Sequence, residues 1–278
     1  MSVSLPFRYA SAEVPLVLVP ATINGRGPYH LLIDTGNGEI EPFLFRPLAS
    51  TLDLPLDEAR DERDEPGVVA AVRLARTRLD RLDVGQIQRW SLDALVMDPL
   101  PLPPVTLVPE GILGYGFFRD YRLVIDYPAQ VLEFTASHGA NGSPGTPFEL
   151  GSPKPFIILD VAVNDGPGRP FLFDTGASHT TISPAFAGEL GLTLQPGEAI
   201  SVSGTLQAGA ARVRRLAAAG MIEDDAEVAV IDLFGPVSEA AGRPIEGVLG
   251  YPFFRSCRLE IDYPARRLLL TPAAATRS

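Results

Sequence analysis

Apolar residues along this chain come in short runs broken by turn formers, the pattern of strands and not of long helices. Val14 to Ile23 and Phe156 to Val163 are rich in Val, Ile and Leu, and they end in the turn signals Asn24-Gly25 and Asn164-Asp165-Gly166. Leu31-Leu32-Ile33 and Phe171-Leu172-Phe173 follow as short returning strands, so each region predicts a β-hairpin. Leu79 to Leu82 and Val213 to Leu216, then Ala94 to Met97 and Val228 to Ile231, predict further paired strands. Ser183 before Pro184 supplies an N-cap and a first helical position, and Gly191 a C-terminal stop, which predicts a short helix. A later helix opens at Phe117 and again at Phe253, giving two small helices per half in a chain that is otherwise β.

The pattern repeats because the sequence does. Glu110 to Phe134 aligns without gaps on Glu246 to Leu270, keeping Leu113-Gly114-Tyr115, Phe117-Phe118-Arg119, Arg122-Leu123 and Ile125-Asp126-Tyr127-Pro128-Ala129. Upstream, Pro15 to Gly36 matches Pro155 to Gly176, and Pro6-Phe7 matches Pro147-Phe148. The first copy carries a net excess of four residues between the two blocks, a difference that loops absorb. Gly, Ser and Pro crowd the segment 136–146, the composition of a flexible linker. The expected organisation is therefore a first domain over 6–135, that linker, and a second domain over 147–271.

Composition narrows the function. With 278 residues and 46% hydrophobic content the chain can bury two cores. A formal charge of −11 and a single lysine, Lys154, exclude a nucleic-acid footprint, which needs clustered Lys and Arg. One cysteine, Cys257, leaves no internal disulfide and reads as a packing residue. No apolar run reaches the ~18 residues of a membrane span. The first repeat begins near Pro6, so a cytoplasmic location is expected if Met1 is the true start, and export if the start lies upstream. His30, His138 and His179 show no metal-ligand spacing, and no nucleophile elbow, phosphate loop or dinucleotide fingerprint is present, so neither a metal nor a cofactor is expected.

The candidate chemistry lies in one motif met twice. Asp34-Thr35-Gly36 and Asp174-Thr175-Gly176 each follow an apolar strand, and each half later supplies an apolar-apolar-Gly block, Ile112-Leu113-Gly114 and Val248-Leu249-Gly250. In this the chain resembles the aspartic proteases, as two retropepsin-like domains fused in tandem, over nearly its whole length. The resemblance implies an all-β, bilobal acid-protease fold of two duplicated barrels, with Asp34 and Asp174 as the catalytic dyad. Two carboxylates held close cannot both ionise cheaply and share a proton, so one serves as base and the other as acid. By the same resemblance Thr35 and Thr175 bond the opposite loop's backbone, while Gly36, Gly176, Gly114 and Gly250 remove Cβ atoms where backbones approach closely. Hairpins are expected to project over the cleft, one at Ile200 to Ala211 with Gly204 and Gly209 available for the bend, its counterpart around Gly67. The charged run Asp57 to Glu65 reads as a solvated loop.

Departures from the family pattern are concentrated in the first copy. The second has the usual small residues after the glycine, Ala177-Ser178, whereas the first has Asn37-Gly38-Glu39. The Asn37 amide is placed to perturb the water or to donate to the Asp34 carboxylate; Glu39 and Glu41 are expected to point into solvent. Tyr115 and Tyr251 stand where retroviral enzymes have Arg, and Arg119 and Arg255, or Arg122 and Arg258, are expected to compensate through ion pairs with Asp126 and Asp262. The reading is an aspartic endopeptidase acting on peptide or protein substrates as a monomer, since both copies lie in one chain. The alternative is a noncatalytic peptide-binding or scaffold protein, motivated by Asn37.

Overall fold

In the computed structural model, which describes residues 2–61, 73–137, 144–201 and 204–273, six strands close into a barrel in each half. The first barrel runs Val17–Ile23, Arg26–Ile33, Gly111–Leu113, Phe43–Phe45, Ile87–Met97 and Arg73–Val84, whose last strand pairs back on the first. The second runs Ile157–Val163, Gly168–Phe173, Gly247–Leu249, Thr181–Ile182, Met221–Val230 and Gly204–Ala218, closed in the same way. The fold class expected from sequence, all-β and bilobal, is the one observed. No helix among the described residues is long and apolar enough to cross a membrane.

Local chemistry sets the hairpins. Asn24 and Gly25 have φ of 50° and 75°, and Asn164 and Asp165 have φ of 52° and 63°. Two successive left-handed residues make the turn whose twist matches the flanking strands, and Asn, Asp and Gly enter that region at least strain. Each Asn also accepts from the neighbouring strand: Asn24 Oδ1 from Arg81 N at 3.0 Å, Asn164 Oδ1 from Arg214 N at 2.7 Å.

The halves are joined by a third sheet to which both contribute. Its order is Ser2–Pro6, Val131–Ala136, Tyr121–Asp126, Cys257–Asp262, Arg267–Pro272 and Thr146–Pro147, all antiparallel. At its centre a strand pairs with its own copy: Arg122 faces Asp262 and Asp126 faces Arg258. Alternation puts Leu123, Ile125, Leu259 and Ile261, all 0% exposed, into the shared core. On the other face Arg258 holds Asp126 at 3.6 Å and Glu133 at 3.2 Å, and Arg122 reaches Glu260 at 4.0 Å. Asp262 instead accepts from Ser137 Oγ at 2.8 Å. Cys257 is buried in the same core and unpaired.

The helices are short. Ser183 Oγ accepts from Phe186 N at 3.0 Å to cap Pro184–Glu189, and Gly191 has φ of 64° just beyond its end. The later pair begins at Tyr115 and Tyr251, two residues before the positions expected, because Gly114 and Gly250 are extended caps from which the chain turns at once. Phe234–Ala241 has no counterpart in the reading from sequence. Gly235-Pro236 conceals it, and it is held by packing of Phe234, Ala240 and Ala241 on Phe156 and Ile158. The acidic run opens as an edge strand, Asp57–Asp61, in which Asp57 and Glu58 remain exposed.

Because the central strands of the shared sheet come from different halves, the lobes should unfold together. Ile125→Ala should destabilise by about 2–5 kcal/mol, and calorimetry should show a single transition for wild type and variant. Two separated transitions would mean that the lobes are independent.

Candidate active site

Asp34 and Asp174 end equivalent barrel strands, and each is fixed by the apolar-apolar-Gly strand that runs parallel beside it. Asp34 N donates to Leu113 O at 3.0 Å and Asp174 N to Leu249 O at 3.1 Å. The threonines that follow cross the axis. Thr35 N donates to Thr175 Oγ1 at 3.1 Å and Thr175 N to Thr35 Oγ1 at 3.0 Å. The same hydroxyls donate onward, Thr35 Oγ1 to Phe173 O at 3.0 Å and Thr175 Oγ1 to Ile33 O at 2.9 Å. Both side chains are 2% exposed, so these four bonds join the lobes out of reach of competing water.

This lattice brings the carboxyls together around one donor, the Gly36 N–H, whose nitrogen lies 2.8 Å from Asp34 Oδ1 and 3.2 Å from Asp174 Oδ1. A Cβ on Gly176 would sit 2.7 Å from the Asp34 carboxyl carbon, and one on Gly36 closer still to that of Asp174, so neither site tolerates a side chain. Gly114 and Gly250 are constrained likewise: added Cβ atoms would lie 2.5 Å from Asn37 O and 2.9 Å from Ala177 O. Those two carbonyls accept from Tyr115 N and Tyr251 N, each at 2.9 Å.

The donors are not shared equally. Gly36 N reaches Asp34 Oδ1 at 2.8 Å and Asp174 Oδ1 at 3.2 Å, while Gly176 N donates at 2.7 Å to Asp174 Oδ1. Burial holds the Asp34 carboxyl well above the usual range, and the charge and hydrogen bond of Asp174 raise it further. Burial raises Asp174 too, but Gly176 N–H, Asp34 and Gly36 N–H each stabilise its ionised form. Burial thus favours a protonated state of the pair, with Gly36 N–H and Asn37 N–H opposing the rise at Asp34 as Gly176 N–H and Gly36 N–H do at Asp174.

Beneath the pair, Tyr127 and Tyr263 are inserted from the repeated Ile-Asp-Tyr-Pro turn, each packing on the opposite half. Tyr127 lies 5.7 Å from Tyr251 and 5.4 Å from Phe254; Tyr263 lies 5.9 Å from Tyr115 and 6.1 Å from Phe118. Burial pushes both phenols far up, so they stay neutral. Among the described residues neither hydroxyl has a hydrogen-bond partner. Their repetition was visible in the sequence, but not that they pack across the axis.

The surroundings revise the reading of the first loop. Asn37 Oδ1 accepts from Glu39 N at 3.0 Å, and Nδ2 is buried with no partner among the described residues, so the amide does not donate to Asp34. Glu39 pairs with Lys154 and Glu41 with Arg76 at 3.3 Å, so neither points freely into solvent: low local exposure favours pairing. His179 is an exposed loop residue bonded to Ser178 Oγ at 3.0 Å. Gly204 pairs with Ser201 at the end of the hairpin, whereas Gly209 lies within the paired strand, opposite Pro196. Gly67 and His138 fall outside the described residues.

Paired aspartates on the axis of two closed barrels, locked by crossed threonines, define the aspartic-protease class of fold and site. The aspartyl protease family model matches residues 19–117 and 159–253, one barrel each, and the chain belongs to this family as a tandem pair of retropepsin-like domains. No curated protein matches the chain.

Two outcomes follow from this geometry. Thr35→Val keeps shape but removes the bonds to Thr175 N and Phe173 O; at about 1–3 kcal/mol for each orphaned group, denaturant unfolding should show a loss of about 2–6 kcal/mol, and Thr35→Ser much less. The raised Asp34 pKa means that the native state binds a proton more tightly than the unfolded chain. Its contribution is fully present below the unfolded value of about 3.9 and is lost as pH rises through the folded value. Asp34→Asn, which cannot ionise, should therefore melt higher than wild type near neutrality, with the gain vanishing below about pH 4. A pH-independent difference in melting temperature would contradict the shift.

Proposed function

We propose that this protein is an aspartic endopeptidase that hydrolyses peptide bonds with a water activated between Asp34 and Asp174. The observation that carries the reading is the convergence of both carboxyls on the Gly36 N–H. Asp174, with two backbone N–H donors, is the ionised base; Asp34 is the acid.

The water loses a proton to Asp174 as its oxygen attacks the amide carbonyl carbon, and Asp34 gives its proton to the carbonyl oxygen. A neutral tetrahedral diol results, with no covalent bond to the protein. Asp174 then passes its proton to the amide nitrogen, the C–N bond breaks, and Asp34 recovers a proton from a diol hydroxyl. Both aspartates end in the protonation states from which they started. Because the crossed threonines and both loops come from one chain, a single copy supplies the whole site, and the proposed active species is a monomer. The substrate is a peptide or an extended protein segment, and no cofactor takes part.

Wild type and the single variants Asp34→Asn and Asp174→Asn should be assayed on an unfolded protein and a mixed peptide library from acidic to neutral pH, with folding checked in parallel. Cleavage should fall by orders of magnitude in each variant, and the double variant should be little worse, because the two groups act as one unit. The wild-type profile should be bell-shaped, since neither the doubly protonated nor the doubly ionised pair is competent. Equal cleavage by wild type and Asp174→Asn would rule the mechanism out; peptide binding by a wild type that never cleaves would establish the scaffold instead.

A further inference from the structure

Two of the residues in which the first active-site loop departs from the second, Gly38 and Glu39, touch the other half. Gly38 faces the segment Lys154 to Phe156 so closely that a Cβ would lie 3.1 Å from Lys154 Cβ, 3.3 Å from Pro155 Cδ and 3.2 Å from Phe156 Cε1. Beside it the Lys154 ammonium donates to Glu39 Oε1, with the two side chains only 18% and 24% exposed. Lys154 is the chain's sole lysine.

Both ends of this tie are anchored. On the second half, Lys154 N donates to Ala240 O at 2.9 Å and Ser152 N to Ala241 O at 3.1 Å, so the segment is backed by the helix Phe234–Ala241. On the first half, Glu39 O accepts from Gly116 N at 3.0 Å and Glu39 N donates to Asn37 Oδ1 at 3.0 Å; Asn37 N donates to Asp34 O at 3.4 Å. A continuous path of short contacts thus runs from the Asp34 backbone to Lys154. In the pseudo-equivalent place the second copy has His179, exposed, and the first half has Val14, which cannot form an ion pair.

We propose that Glu39 and Lys154 are positioning residues: their cross-lobe ion pair holds the loop that follows Asp34 in register with Asp174, on one side of the axis only. The proposal rests on the proteolytic reading for its kinetic consequence, but not for the tie itself. Two carboxyls that exchange protons through one water need alignment within a fraction of an ångström, and a small displacement costs rate without removing binding.

The test compares full-length wild type with Lys154→Met, Glu39→Gln, Lys154→Arg and the charge-swapped Glu39→Lys/Lys154→Glu protein. Readouts are kcat and KM on a peptide that wild type cleaves, and amide hydrogen exchange over residues 34–39. Lys154→Met and Glu39→Gln should lower kcat about tenfold with KM changed by less than about twofold, and both should speed exchange in the loop. Lys154→Arg should keep most of the activity, and the swapped pair should recover part of what either single change loses. Unchanged kcat in the folded single variants, or a change confined to KM, would overturn the proposal. If wild type cleaves nothing, the proteolytic reading falls on its own, and exchange decides the tie: faster exchange in both single variants supports it, and unchanged exchange overturns it.

Discussion

Two carboxyls held side by side at a partly buried axis form the constraint around which this molecule is organised. Left alone, Asp34 and Asp174 would repel and swing apart. They are held by backbone and threonine bonds that do not titrate, and burial favours protonation of the pair, which removes the repulsion. The crossed bonds of Thr35 and Thr175 matter because each uses a main-chain N–H of one loop and a hydroxyl of the other. Neither loop can move without stranding a buried donor of its partner.

That demand explains the layer underneath. A pair of loops meeting on an axis is only as rigid as the joint between the lobes, and here the joint is a continuous six-stranded sheet whose central strands are a sequence and its own copy. Tyr127 and Tyr263 carry the contact upward, each packing on the other half. A buried phenol without a hydrogen-bond partner is unfavourable in isolation. At this place it supplies volume that fills the seam without adding a charge beside the aspartates.

Duplication alone would give a symmetric dyad, in which neither aspartate is preferred as acid. Symmetry is broken here by local details. Asp174 collects two backbone donors where Asp34 has one, and the Asn37-Gly38-Glu39 loop is tied to Lys154 while Ala177-Ser178-His179 has no equivalent lysine across from it. A single chain allows this divergence, because each copy can change independently. A homodimer of one short chain repeats every substitution on both sides.

Much was legible without coordinates. Paired apolar runs with Asn-Gly turns specify hairpins by local chemistry, and two aligned copies specify two equivalent lobes, so the all-β bilobal fold and the repeated Asp-Thr-Gly loops could be read directly. Ser183-Pro184 and Gly191 marked a helix for the same local reason. What local chemistry does not encode had to come from the tertiary structure. The helix Phe234–Ala241 exists through packing that outweighs its Gly-Pro start. The partners of Glu39 and Glu41, the orientation of the Asn37 amide and the crossing of Tyr127 and Tyr263 depend on which residues distant in the chain become neighbours. The uneven sharing of Gly36 N–H between the two carboxyls is a difference of a few tenths of an ångström. The sequence by itself determined which side chains are available and how often; only the folded arrangement decided which of them face one another, because burial and Coulomb interactions depend on distances that residue order does not contain.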